Sequence, residues 1–200
     1  MEYSKIAKEI IELQNADLEL RNKLIRSGQL FNGYNAEMEA LHNKNAEVLN
    51  DIINKIDYPT IEKVGEEANE AAWLVIQHSI GKPKFMKKCA ALLETAVKEK
   101  QADAKQLAYL VDRIAVFEKR PQLYGTQFDW DDKGKLSPIT PLDDLEKVNR
   151  RRRKAGLNSL TEQTEIIRKR AVAENQKPPA DKKAKAEQYG KWLKKTGWRK

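Results

Sequence analysis

Apolar residues recur at spacings of three and four along most of the chain, the signature of amphipathic helices. From Ser4, the positions Ile6, Ile10, Leu13, Asp17, Leu20 and Leu24 form one stripe, and Gly28 follows as a stop. A second helix is predicted from about Asn35 to Ile56, with Met38, Leu41, Asn45, Leu49 and Ile52 or Ile53 on one side. Tyr58-Pro59-Thr60 ends it, because proline biases the preceding residue away from helical geometry. The third, around Glu66 to Ile80, contains AAWLVIQHSI and is apolar on nearly every side; Gly81 and Pro83 mark the turn after it. A fourth, Lys84 to about Lys100, presents Phe85, Cys89, Leu92, Leu93 and Ala96. The fifth, about Ala104 to Glu118, contains LAYLVDRIAVF. Helices three and five, apolar almost all round, are therefore expected as the buried pair of a bundle.

A long polar connection from Arg120 to Thr140 follows, holding Pro121, Gly125, Gly134 and Pro138. Irregular segments of this length are often functional or disordered. Thr140 then reads as an N-cap, with Pro141 at the first helical position, Asp143 and Asp144 in the first turn, arginines in the last turn and Gly156 beyond. Ser159 with Glu162 is a capping-box pattern opening one more helix, to about Glu174. From Gln176 the chain reads as a flexible tail with a short amphipathic piece near Tyr189 to Leu193. No strand and no internal repeat is predicted. The expected fold is all-α: a compact bundle of about six to seven helices over 1–175, with a long polar loop and a basic C-terminal tail over 176–200.

Composition narrows the class. The 200 residues are 40% hydrophobic and 34% charged, which suits a soluble helical protein and excludes collagen-like and disulfide-stapled chains. No stretch approaches the roughly 20 apolar residues of a membrane span. The opening MEYSKIAKEI lacks the basic flank and apolar run of a secretory signal, so a cytoplasmic location is expected. Cys89 is the single cysteine, and with His42 and His78 the only histidines no Cys/His metal site, and no cofactor, is expected. Residues 1–146 hold 20 Lys+Arg against 25 Asp+Glu, and residues 147–200 hold 18 against 5. A basic end on a mildly acidic body suits contact with nucleic acid through its phosphates, or serves only to solubilise the chain.

Candidate chemistry lies where polar residues interrupt apolar helices. Asp112 and Arg113 sit amid LAYLVDRIAVF, and burying a lone charge costs several kcal/mol, so each needs a partner or a solvated cavity. An interhelical ion pair, Asp112 with Arg21 or Arg113 with Asp17, would satisfy them structurally. Gln77 and His78 interrupt the third helix in the same way, and His78 falls on its Ala71, Leu74, Val75 face. Directly after the fifth helix, Gln122, Tyr124, Thr126 and Gln127 supply uncharged donors and acceptors around Gly125. If these converge they make a polar pocket in an apolar bundle, a recurrent place for sites.

The combination AAWLVIQH, LAYLVDRIAV and QLYGTQ, with NRRRRKAGL downstream and Asp17 and Arg21 upstream, resembles a bacterial helical domain family of unknown function. The family shares a helix ending in Q-H, an A-Y-L-x-D-R helix and a Q-x-Y-G-T-Q loop. This chain departs from it at Ile80, where members carry an acidic residue, and at Asp57-Tyr58-Pro59, where they often carry G-W-P. The resemblance implies a shared fold and polar cluster, Gln77, His78, Asp112, Arg113, Gln122, Tyr124 and Gln127, but no reaction.

Chemically, a histidine oriented by a carboxylate serves as a general base. His78 and Asp112 are thus the expected catalytic pair, and Gln77, Arg113, Gln122, Tyr124 and Gln127 the expected ligand-binding set. An arginine with side-chain amides suits phosphate or carboxylate groups. The function expected is a hydrolase- or lyase-type enzyme acting on a small anionic ligand, phosphorylated and nucleotide-like ones included. The rival expectation is a nucleic-acid-binding or adaptor protein using Arg150, Arg151, Arg152, Arg153 and Lys154, with no membrane partner.

Overall fold

The computed structural model describes residues 2–29 and 34–200, of which two compact units can be distinguished, Met1–Asp103 and Ala104–Lys200. Helices account for 67% of the chain, as the periodicity implied.

In the first unit, α1 (Glu2–Arg26) buries Ile10, Asp17, Leu20 and Leu24. Helix α2 (Ala36–Ile56) starts where Asn35 accepts from the backbone N–H groups of Glu37 and Met38, and buries Met38, His42, Asn45, Leu49, Ile52 and Ile53. A single turn not expected from the sequence, α3 (Ile61–Val64), fills the connection to α4 (Glu66–His78). Gly65 joins them at φ +81°, a left-handed conformation that favours glycine. Helix α4 packs on α1 and α2, and its Ala68, Ala71, Ala72, Val75 and Ile76 are all buried. Pro83 takes the first turn of α5 (Pro83–Lys98), which buries Phe85, Met86, Cys89, Leu93 and Ala96. Cys89 is a free, buried thiol whose pKa burial pushes up to about 12.

The second unit opens with α6 (Ala104–Phe117), buried along Ala108, Leu110, Asp112, Ile114, Ala115 and Phe117. The long connection, expected to be irregular, contains a small antiparallel hairpin of β1 (Phe128–Trp130) and β2 (Leu136–Pro138), paired Phe128 with Pro138 and Trp130 with Leu136. Asp131 holds its turn: one carboxylate oxygen accepts from Lys133 and Lys135 N–H, the other from the Ser137 hydroxyl. Three-residue strands leave no alternation to read, which is why the hairpin is not predicted.

Helix α7 (Leu145–Lys154) begins later than the Thr140 cap implies. Residues 141–143 are taken up instead by pairing with the loop, Gln122 N–H donating to Pro141 O and Asp143 N–H to Gln122 O. Asp144 becomes the N-cap, accepting from Lys147 N–H at 3.0 Å. The capping box of Ser159 and Glu162 opens α8 (Leu160–Ala173) as expected. Residues read as a tail include α9 (Lys182–Lys195), capped by Asp181. Its Leu193 is fully buried, and Trp198 packs against Phe117 with the rings tilted at 44° and their centroids 4.7 Å apart.

Candidate functional site

Three helices of the first unit each place one polar residue in an apolar stripe. Asp17 follows Ile10 by seven residues and precedes Leu20 by three on α1; His42 follows Met38 by four on α2; His78 follows Ala71 and Val75 on α4. Helical geometry therefore turns all three inward. Asn45, one turn beyond His42, donates to Leu13 O at 3.0 Å and fastens α2 to α1 beside the cluster. Helix α4 ends at His78, where Ser79 bonds back to Val75 O, so the ring stands at the helix terminus and keeps 25% of its side-chain surface exposed.

One carboxylate oxygen organises the centre. Asp17 Oδ2 lies 2.7 Å from His78 Nδ1 and 3.2 Å from His42 Nε2. The first contact is a hydrogen bond; the second has the distance of an ion pair without hydrogen-bond alignment. Tyr34 Oη sits 2.7 Å from His42 Nδ1 and fixes that ring from behind. The two imidazoles stand with centroids 5.0 Å apart. Asp17 is 1% and His42 5% exposed, yet Asp17 Oδ1 and His42 Nε2 have no hydrogen-bond partner. Burial would raise the Asp17 pKa, but the two imidazoles outweigh it and hold the carboxyl well below the usual range. Burial, reinforced by Glu39, pushes the Tyr34 hydroxyl above the usual tyrosine range.

His78, expected to pair with Asp112, thus pairs with Asp17. Asp112 has a different task. Its Oδ1 accepts from Leu123 N–H at 2.7 Å and Tyr124 N–H at 3.1 Å, and its Oδ2 from Thr126 N–H at 2.9 Å and the Thr126 hydroxyl at 3.1 Å. The QLYGTQ loop is wrapped around this carboxylate, much as an anion sits in a nest of backbone N–H groups. Burial pushes the Asp112 pKa up while those donors pull it back.

Gln122 is also fully committed. Its amide donates to Gln127 O at 3.1 Å and Ile139 O at 2.6 Å, and accepts from Gln127 N–H at 2.8 Å. The Gln127 amide donates to Thr126 Oγ1. Gly125 has φ +64°, a left-handed conformation that favours glycine, and a Cβ there would stand 2.8 Å from a Leu160 methyl, which would have to shift. Gln77 is buried on α4, and Arg113 is half-buried on α6, where desolvation lowers its pKa with Tyr189 opposing.

The arginine run divides by face. Arg152 is buried, donating to Asn158 O, Asn158 Oδ1 and Tyr124 O; Arg151 pairs with Asp143 at 2.6 Å. Arg150, Arg153 and Lys154 are exposed.

Residues 4–174 match the model of a family of unknown function, DUF6624. The chain belongs to this family. The DUF6624 region spans α1 to α8 and so includes Asp17, His42 and His78 together with Asp112 and its loop. No curated protein and no solved structure matches the chain.

His42 is the residue that sequence reasoning missed. Its signal was a polar residue within the α2 stripe, four beyond Met38 and three before Asn45, parallel to Asp17 on α1.

Proposed function

We propose that this DUF6624 protein is a hydrolase- or lyase-type enzyme acting on a small anionic ligand, with the Asp17–His42–His78 cluster as its active centre. The observation that carries this is Asp17 Oδ2, one buried oxygen facing two imidazole nitrogens at 2.7 and 3.2 Å. Imidazoles beside a carboxylate are the groups that activate water or abstract a proton near neutral pH. His78 is the member of the three with appreciable exposure, which makes it the point of ligand access.

Support for an anionic ligand comes from the surroundings. Arg21 is exposed one turn beyond Asp17 on α1. A groove of about 580 Å³ between α1 and α2 is edged by Lys23, Arg26 and Lys44 beside Glu19 and Glu37, and begins at Ala16. The test is a thermal-shift screen of nucleotides, sugar phosphates and amino-acid derivatives on wild type and His78→Ala, followed by turnover assays on the hits. Ligands that raise the wild-type Tm and lose their effect in His78→Ala are expected. Hits that stabilise both proteins equally would overturn the assignment.

The second reading, nucleic-acid binding, rests on exposed Arg150, Arg153 and Lys154 in a unit that holds 24 Lys+Arg against 13 Asp+Glu over 104–200. Replacing those three by glutamate is then expected to abolish salt-sensitive binding. Binding that is unchanged by the replacement would remove this reading.

A further inference from the structure

Asp17, His42 and His78 each offer one ligand atom, and these atoms all lie within 4.8 Å of one another. We infer that the three side chains form a binding site for a divalent first-row transition metal, zinc being the member that two imidazoles and a carboxylate suit best. The inference rests on the reading of this cluster as the active centre for its chemistry, though not for its binding.

The unfilled bonds point to a ligand. Asp17 Oδ1 and His42 Nε2 are buried polar atoms with no hydrogen-bond partner, and such atoms are costly unless something satisfies them. His42 Nε2 faces a carboxylate oxygen at 3.2 Å. Metal–ligand bonds of about 2.0–2.1 Å set neighbouring donors roughly 3 Å apart, so this pair already has the spacing of two ligands on one ion. His78 Nδ1, at 2.7 Å from the same oxygen, needs to withdraw by only a few tenths of an ångström, and it stands at the end of α4 with part of its ring in solvent.

The outer contact also fits. Metal-bound histidines commonly hydrogen-bond through their second ring nitrogen, which fixes the tautomer and the ring orientation. Tyr34 Oη at 2.7 Å from His42 Nδ1 is placed for this: with the proton on Nδ1, Nε2 is left as a lone pair directed at the centre. Three protein ligands leave a fourth position for water. A metal held there would lower the pKa of that water and so supply the nucleophile or base a hydrolase or lyase requires.

The experiment is titration of chelator-treated, untagged full-length protein with Zn2+ by calorimetry and with Co2+ by visible absorption. One equivalent per chain is expected, with affinity lowered at least about 100-fold in His78→Ala and in His42→Gln, and by roughly 10- to 100-fold in Tyr34→Phe. Failure of wild type to bind stoichiometrically overturns the proposal, as does binding that persists unchanged in the variants. If His42→Gln does not fold, wild type decides alone. The chain has two histidines, and Zn2+ must shift the ring resonances of both; unmoved resonances overturn the site. Metal binding without any turnover keeps the site and removes the catalytic reading. Turnover that needs His78 in protein that binds no metal removes the metal and keeps the catalytic centre.

Discussion

The two units each bury a carboxylate on a helix, and the comparison between them separates architecture from chemistry. Asp112 in the second unit is 0% exposed and receives three backbone N–H groups and one hydroxyl, so both of its oxygens are satisfied by the loop it organises. Asp17 in the first unit is nearly as buried, but it faces two imidazole side chains and leaves Oδ1 without a partner. A buried charge whose donors are backbone groups holds a fold in place. One whose neighbours are imidazoles, with bonding capacity left over, has the means to bind or react.

The largest expected effect tests the structural half of this contrast. Asp112→Ala leaves four donors without their acceptor at about 1–3 kcal/mol each, so a loss of at least about 4 kcal/mol is expected in urea denaturation. A loss under about 1 kcal/mol would mean that the loop does not depend on this carboxylate. Next comes Trp198→Ala, which empties the packing against Phe117 and is expected to cost about 3–5 kcal/mol. A near-neutral result would return 176–200 to the status of a tail.

Smaller still is His78→Ala. Its ring is partly exposed and water can replace it, so about 1 kcal/mol is expected in the same assay, alongside complete loss of the proposed ligand response. A loss comparable to that of Asp112→Ala would make Asp17 and His78 a structural pair and erase the contrast. Smallest is the capping box on α8. The Ser159 hydroxyl and N–H hold Glu162 below the usual glutamate range. A carboxyl lowered by folding stabilises above its unfolded pKa and ceases to do so as pH falls through the folded one. Protection of the first amides of α8 should therefore fade on acidification below the usual glutamate pKa in wild type, while Ser159→Ala, which keeps only the backbone donor to Glu162, should show a weaker dependence.

Much of the fold was legible because helical periodicity is a local property. The stripes on α1, α2, α4, α5 and α6 and the Ser159–Glu162 box all follow from residues within a few turns of one another, although α4, expected to reach Ile80, stops at His78. The start of α7 was misplaced because Thr140-Pro141 and Asp144 are both acceptable openings in isolation; the bridge from Gln122 to residues 141–143 selects the second. The two short strands and α9 were missed for the same reason, since each depends on partners far along the chain. Four consecutive arginines could not share one face, and Arg152 and Arg151 do turn back to bond the loop and Asp143.

The sequence by itself determined that this chain is helical, where most helices begin and end, and that polar groups are forced into apolar interiors at Asp17, His78 and Asp112. Which of those groups meet was decided only by tertiary structure. Periodicity specifies the direction in which a side chain leaves its own helix, whereas the atom it reaches depends on how helices separated by tens of residues pack. That packing gave His78 to Asp17 and His42, and gave Asp112 to the loop that follows it.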